Sequence, residues 1–282
     1  MNTFLFVTHV TPKNKRSTLR QSLFEIYNKA LLNQSYPNWK LLQIGDHDFH
    51  DSRFLKISLE SNLDTQKQIE NIFNRSDVTK FINDSDYLIK LDDDDIISPN
   101  ILERLSNFKG DLFYDEYHSF YDVCSSKSSF QRRPWIASTA VHKTEHALSK
   151  INDSGPDNIY LNSLLYTDHS QIWHKYYSDK NIQSSNKNNP VYLRVLSPTS
   201  ISSGCDAFPL VSNDQINYIK YHNYLRKFGT WNISFISDFT DYKNDLLKAW
   251  FDFNGPALVE FSLNNSIENN FIYKVKKYFF KP

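Results

Sequence analysis

Short apolar runs alternate with amphipathic segments over the first hundred residues of the chain. Phe4–Thr8 is a run of apolar, β-favouring residues, which predicts a strand buried on both faces. From Ser17 to Leu32 the apolar residues recur at helical spacing, which predicts an amphipathic helix. Trp39–Ile44 and Phe54–Ser58 predict two further short strands.

This alternation predicts βαβ units on a parallel sheet. Helical spacing returns from Ile69 to Ile82, and Tyr87–Leu91 predicts another buried strand. The predicted fold class is therefore α/β, with helices that flank the sheet. Ligands of such sheets bind beyond the carboxyl ends of the strands. The loops Thr8–Lys15, Gly45–Asp46 and Asp92–Asp95 should therefore meet at one crevice.

Four consecutive carboxylates, Asp92 to Asp95, follow the last of these strands. Neighbouring like charges repel, so the run is destabilising unless water or a cation compensates it. In an extended chain, side chains two residues apart share a face, which predicts Asp92 and Asp94 on one side and Asp93 and Asp95 on the other. Two oxygen donors on one face suit a hard divalent cation that also holds phosphates.

The alternative interpretation of the acidic run is a solvated turn that leads into a helix. Ser98 would cap this helix, Pro99 would occupy its first position, and it would end near Phe108. Polar and aromatic residues then mix over 111–122, as in half-exposed antiparallel strands. The later elements predicted are a strand at 130–141, a helix at 142–150, a helix from 168 to 177, a strand at 191–195 and a helical C-terminal extension beyond 212.

Composition excludes several classes of protein. The 282 residues carry 32 basic and 32 acidic side chains, so no global field draws the chain to nucleic acid. Two cysteines make neither a disulfide framework nor a zinc site. The N-terminal residues lack the features of a signal peptide, and no run approaches the roughly 20 apolar residues of a membrane span. The expectation is a cytoplasmic protein, at most in peripheral contact with a membrane.

Several of these segments, in this order, resemble the family 2 glycosyltransferases, nucleotide-sugar enzymes of the GT-A fold. The resemblance implies a GT-A-like, Rossmann-type mixed sheet flanked by helices. The resemblance begins with the first strand, loop and helix and continues through Leu32–Leu42 and Gly45–Asp46. Leu91–Pro99 looks like the D-x-D-D motif of the family, and Thr167–Trp173 resembles its later acidic motif. The match covers roughly residues 3–205. It implies a nucleotide-sugar-binding half at 1–100, an acceptor-binding half at 101–210 and a C-terminal helical extension at 211–282.

The resemblance also implies roles for individual residues. Asp94, with Asp95, would hold Mn²⁺ or Mg²⁺, and the cation would neutralise charge that develops on the leaving diphosphate. The nucleotide would contact Asp92, through its ribose, together with Asp93, Asp46 and Thr8. Asp168 would be the catalytic base that takes the proton of the acceptor hydroxyl. The roles left open are turn residue for Asp46 and helix N-cap for Asp168.

The chain departs from the family pattern at several points. The first loop lacks the usual aromatic residue after Pro12, Thr167 precedes Asp168 where Glu is common, and the Gln/Arg-x-x-Arg-Trp signature of processive synthases is missing. The expected reaction is an inverting sugar transfer, from a UDP-linked donor to a glycan or lipid-linked acceptor, in surface polysaccharide synthesis. The alternatives are a sugar nucleotidyltransferase, which usually has a glycine-rich phosphate loop, and a non-catalytic nucleotide- or glycan-binding module.

Two other features are candidate sites. His142 and His146 are four residues apart and would share one face of the predicted helix, but a pair without a third ligand is more often structural. The C-terminal tail, residues 271–282, interleaves aromatic residues with lysines. It could rest on an anionic membrane or dock its aromatic side on the core.

Overall fold

The computed structural model describes residues 1–45, 50–60, 65–133, 135–147, 170–205, 211–232 and 236–254. The strands in chain order are β1 Phe4–His9, β2 Trp39–Ile44, β3 Phe54–Ile57, β4 Tyr87–Lys90, β5 Ile96–Ile97, β6 Leu112–Asp115, β7 Tyr117–Asp122, β8 Lys127–Arg132, β9 Val141–Lys143, β10 Ile182–Ser185 and β11 Tyr192–Leu196. The α-helices are α1 Thr18–Leu32, α2 Thr65–Phe73, α3 Ser76–Asn83, α4 Ile101–Arg104, α5 Thr144–Ala147, α6 Ser170–Tyr176, α7 Tyr218–Leu225 and α8 Lys243–Asn254.

A mixed sheet forms the centre of the described chain. Its order is β10-β6-β9-β4-β1-β2-β3, with β1, β2, β3 and β4 parallel and β9 antiparallel to both of its neighbours. A second, smaller sheet has the order β5-β11-β7-β8. The predicted α/β class with a Rossmann-type mixed sheet is confirmed.

Strand β1 is buried on both faces, as its apolar run predicts. Phe4 and Phe6 belong to one hydrophobic cluster, and Leu5 and Val7, which point the other way, belong to a second. The first cluster contains the apolar face of α1, and the second contains that of α2 and α3. Helices therefore cover both faces of the sheet. In sheets of this kind a ligand binds beyond the carboxyl ends of the strands.

Helix α1 matches its prediction closely. Ser17 is its N-cap, and the Ser17 hydroxyl accepts a hydrogen bond of 3.1 Å from the backbone N–H of Arg20. Leu19, Leu23 and Tyr27 are buried against the sheet. The cap fixes the first turn of the helix and with it the position of Arg20.

Several elements differ from their predictions because strands that are distant in sequence pair with one another. Ile96 and Ile97 form β5 against β11, and the backbone N–H of Ser98 donates to the Val191 carbonyl. Ser98 therefore does not cap a helix, and the predicted helix at 99–108 is reduced to α4. Similarly, the predicted strand at 130–141 is divided between β8 and β9.

His142 lies in a strand and not in the predicted helix. It pairs with Leu88 of β4, and α5 begins two residues later, at Thr144. The prediction that His142 and His146 share one helix face is therefore wrong, because pairing with β4 and β6 extends the chain there. The imidazole of His142 instead lies 3.0 Å from the Tyr177 hydroxyl in the buried core.

The predicted helical C-terminal extension is confirmed for α7 and α8. Leu246 and Trp250 of α8 belong to the same hydrophobic cluster as Phe4 and Leu23, and Lys29 of α1 forms a 2.6 Å ion pair with Asp245. The tail at 271–282 lies outside the described residues. Within the described ranges, no helix is both long and apolar enough to span a bilayer.

Candidate functional site

The carboxyl ends of β1, β2 and β4 meet at one edge of the large sheet. His9 pairs with Ile44, and Val7 pairs with Lys90, so the three strands end side by side. A cleft of about 860 Å³ opens at this edge, a size suited to a small organic ligand. Its lining includes 9–15, Gly45, Asp92–Asp95 and 200–202. The prediction that the three loops meet is thus confirmed as far as Gly45, while Asp46 lies outside the described residues.

Residues Asp92 to Asp95 form a tight backbone turn and not an extended segment. The backbone N–H of Asp95 donates to the Asp92 carbonyl at 3.2 Å. The predicted alternation of faces is therefore wrong, because a turn rotates successive side chains differently from a strand. Each of the four carboxylates has different surroundings.

Asp93 ties the acidic turn to the first loop and to α1. Its carboxylate accepts the Thr11 backbone N–H at 2.7 Å, the Thr11 hydroxyl at 3.2 Å and a guanidinium N–H of Arg20 at 2.5 Å. The residue is 1% exposed. These contacts give Asp93 an anchoring role, and the predicted nucleotide contact stays a prediction.

Asp94 forms an ion pair with the other terminal nitrogen of Arg20. The side chain lines the cleft and is mostly buried. Burial raises the pKa of Asp94 to about 6, although the Arg20 charge acts in the opposite direction. Asp94 is therefore mostly ionised at pH 7, and a modest fall in pH would protonate it.

Asp95 is buried, and its carboxylate accepts the backbone N–H of Val195 at 2.9 Å. This bond joins the acidic turn to β11, the strand that carries Arg194. Burial and the charges of Asp94 and Asp92 raise the pKa of Asp95 well above its ordinary value.

Asp92 is the most exposed member of the acidic turn. About half of its side chain, 49%, is accessible in the cleft, and its carboxylate lies 3.3 Å from the Lys90 ammonium. The charge of Lys90 lowers the pKa of Asp92. Asp92 is therefore ionised and presents an acceptor to a ligand in the cleft.

Thr8 lies beneath the cleft. Its side chain is fully buried, and its hydroxyl lies 2.6 Å from the Tyr27 hydroxyl and donates to the Leu91 carbonyl at 2.9 Å. These bonds hold β1, α1 and the start of the acidic turn together. A nucleotide contact by Thr8 stays a prediction.

Two arginines of the cleft, Arg20 and Arg194, are not among the site residues predicted from the sequence. Both line the cleft. Burial lowers the pKa of each, but Asp94 and Asp93 together raise the pKa of Arg20, and Tyr224 and Asp95 raise that of Arg194, above the ordinary value. A signal for each was present. Arg20 lies three residues before Leu23 and seven before Tyr27, so it occupies the core-facing side of α1. Arg194 interrupts the apolar pattern of a buried strand.

The residues of the acidic turn fit a divalent cation by their chemistry. Carboxylate oxygens are the ligands that Mg²⁺ and Mn²⁺ prefer, and Asp92 and Asp94 offer them at the cleft. The carboxylates do not converge on one point, however, because Asp93 faces Thr11 and Arg20 and Asp95 faces Val195. A cation bound here would complete its coordination with ligand oxygens or water, as Mg²⁺ commonly does.

A second group of ligand-type side chains lies at the opposite edge of the sheet. Oxygen or nitrogen atoms of Asp111, Glu145 and His146 lie within 4.8 Å of one another. His146 Nε2 lies 3.0 Å from Asp111, and Glu145 accepts the Lys143 ammonium at 2.6 Å. Asp111 is thus already paired with His146, and Glu145 with Lys143. The group therefore gives no reason to place a cation there.

Asp168, the predicted base, and its neighbour His169 lie outside the described residues. The helix predicted from 168 to 177 is present as α6, and Trp173 within it is fully buried beside His142. The Trp of the later acidic motif is therefore a core residue.

Glycosyltransferases are among the solved structures that are similar to this chain. Neither a protein-family model nor a curated protein matches the sequence. Among solved structures, residues 1–349 of TarS from S. aureus align over 97% of this chain and 75% of that fragment, with 11% identity and a TM-score of 0.39. GlyE, a glycosyltransferase of Streptococcus pneumoniae TIGR4, aligns over 89% of this chain and 64% of its own length, with 10% identity and a TM-score of 0.38.

A glycosyltransferase involved in glycosylation of the major capsid of PBCV-1 is a third similar structure. It aligns over 68% of this chain and 93% of its own, with 8% identity and a TM-score of 0.35. These similarities are distant. The function is therefore inferred from the residues of the cleft.

Proposed function

We propose that the chain is a metal-dependent inverting glycosyltransferase. It would move a sugar from a nucleoside diphosphate, UDP in our expectation, to a glycan or lipid-linked acceptor in surface polysaccharide synthesis. The observation that carries the proposal is the acidic turn at the carboxyl ends of β1, β2 and β4, which faces a cleft lined by Arg20 and Arg194. The sequence motifs that resemble family 2 glycosyltransferases supply the reaction type.

The proposed donor site combines carboxylates and cations. Asp92, the most exposed carboxylate, would accept hydrogen bonds from the ribose hydroxyls. Asp94 would hold Mn²⁺ or Mg²⁺, and the ion would supply positive charge to the diphosphate. Asp95 faces Val195, so its role as a second metal ligand stays a prediction. Arg194 and Lys90 line the same cleft and would contact phosphate oxygens, for which a guanidinium is well suited.

The transfer itself needs a base and an acceptor oxygen. The acceptor hydroxyl would attack the anomeric carbon, the bond from that carbon to the diphosphate oxygen would break, and its electron pair would leave with the diphosphate. The proton of the hydroxyl would pass to the Asp168 carboxylate. The fixed charges of Arg194 and Lys90 would stabilise the leaving group without rearrangement.

Titration calorimetry with UDP tests the donor site. Wild-type protein is expected to bind UDP much more tightly with Mn²⁺ than without it, and Asp94→Asn is expected to lose this dependence. Asp245→Asn, which changes an exposed carboxylate on α8, is the matched control and should bind as the wild type does. Equal UDP affinity with and without Mn²⁺ in the wild type would contradict the proposed metal site.

Turnover against a panel of nucleotide sugars tests the reaction. Asp168→Asn should abolish transfer and keep metal-linked UDP binding, because it removes the base and leaves the donor site intact. An unchanged rate in this variant would exclude Asp168 as the base. Metal-linked UDP binding by the wild type without turnover of any donor sugar would favour the non-catalytic binding module.

A further inference from the structure

Arg20 is placed where it can control the charge of the acidic turn. It is 7% exposed, lies in the first turn of α1, and is held there by the Ser17 cap. One terminal nitrogen donates to Asp94, and the other donates to Asp93 at 2.5 Å and to the Thr11 hydroxyl at 3.2 Å. A planar guanidinium is the side-chain group that can bridge two carboxylates in this way.

The positive charge of Arg20 affects the binding of a divalent ion at the acidic turn. Two adjacent carboxylates would attract a divalent ion strongly if they stood alone, but Arg20 already neutralises part of their charge. A divalent ion at Asp94 would also lie close to the fixed positive charge of Arg20, and like charges in a poorly hydrated site repel strongly. The cleft without a nucleotide should therefore bind free Mn²⁺ weakly.

A diphosphate changes this balance. Its negative oxygens would lie between the ion and the positive charges of the cleft, and they would supply ligands that the protein does not bring to one point. The repulsion from Arg20 would then be offset, so the ion and the diphosphate would favour each other's binding. Coupling of this kind is reciprocal, and it can be measured from either ligand.

We propose that Arg20 is a positioning residue that serves as the built-in counter-cation of Asp93 and Asp94 and makes divalent-cation binding depend on the nucleoside diphosphate. The inference rests on the proposed function, since it concerns the donor site of that reaction. A purely structural role for Arg20 makes the opposite prediction. Loss of the residue would then loosen the acidic turn and weaken the binding of both Mn²⁺ and UDP.

The test is titration calorimetry of Mn²⁺ into the protein without nucleotide. Arg20→Gln is expected to bind free Mn²⁺ at least about tenfold more tightly than the wild type, because the competing charge is gone. The factor by which UDP improves Mn²⁺ binding should fall in the same variant. Arg16→Gln is the matched control and should leave Mn²⁺ affinity unchanged. Arg16 is a nearby buried arginine, and its guanidinium donates to the Thr11 carbonyl and to Gln21.

Thermal unfolding of each variant accompanies the titrations. If Arg20→Gln does not fold, Arg20→Met decides. A methionine fills much of the arginine's volume but carries no charge, so this variant should also bind free Mn²⁺ about threefold or more tightly than the wild type. Unchanged or weaker Mn²⁺ binding in the folded variant would overturn the inference.

Titration of UDP into the wild type separates the two proposals. If Mn²⁺-dependent UDP binding is present and Mn²⁺ affinity is unchanged in the Arg20 variants, only the role of Arg20 is refuted. If the wild type and the variants bind neither UDP nor Mn²⁺, the donor site is refuted, and the role of Arg20 is refuted with it.

Discussion

The acidic turn should separate into residues that hold the fold and residues that face the ligand. Asp93→Ala removes the acceptor of three donors, one of them the charged Arg20, from a residue that is 1% exposed. Breaking a buried ion pair from one side costs about 3–5 kcal/mol. Because Arg20 keeps its contact with Asp94, we expect the lower end, about 3 kcal/mol of unfolding free energy.

Asp92→Ala is the matched comparison within the same turn. Half of the Asp92 side chain is exposed, and its ion pair with Lys90 spans 3.3 Å, so its loss should change stability by no more than about 1 kcal/mol. Ligand binding should respond differently from stability: Asp92→Ala should weaken Mn²⁺-linked UDP binding although it leaves the fold intact. Urea titration followed by circular dichroism measures stability, and calorimetry measures binding. If Asp92→Ala destabilised the protein as much as Asp93→Ala, the proposed division of the turn would be refuted.

Two further predictions concern the same cleft. Since the pKa of Asp94 is about 6, its carboxyl becomes protonated as the pH falls from 7 to 5 and can no longer hold a cation. Mn²⁺-linked UDP affinity, measured by calorimetry, should therefore fall across this range, and a flat profile would contradict the assignment of Asp94. Gly45→Ala should lower the unfolding free energy by about 1–3 kcal/mol, because Gly45 has a φ of +111° and a Cβ would lie 2.9 Å from the Val10 carbonyl oxygen. Thermal unfolding measures this change, and an unshifted melting temperature would show that the loop rearranges freely.

The first half of the fold could be predicted because its pattern is local. Strand β1 is apolar at every position that lies between the two helical layers, and α1 repeats its apolar residues over four turns. The second half could not be predicted in the same way. Ile96 and Ile97 become a strand only because β11 lies beside them, and His142 is extended only because β4 and β6 flank it. The edge strand β10 is mostly exposed and polar, so it carries no apolar pattern to detect.

The candidate site shows the same limit at the level of side chains. The position of the acidic run at a strand end was enough to predict a shared crevice with the loop after β1. The separate surroundings of Asp93 and Asp95 were not predictable, because they depend on a turn and on contacts with Thr11 and Val195. Asp46 and Asp168 stay predictions.

The mixture of charges in the cleft itself argues for a ligand pair. A diphosphate alone would meet the carboxylates of Asp92 and Asp94, and a divalent cation alone would meet Arg20 and Arg194. Each ligand by itself therefore faces groups of its own sign at close range, where screening by salt is weak. A cation bound to a diphosphate presents positive charge to the carboxylates and negative charge to the guanidiniums at the same time. This complementarity supports the proposed metal–diphosphate ligand, and it offers a reason for a stable fold to keep four adjacent carboxylates beside Arg20 and Arg194.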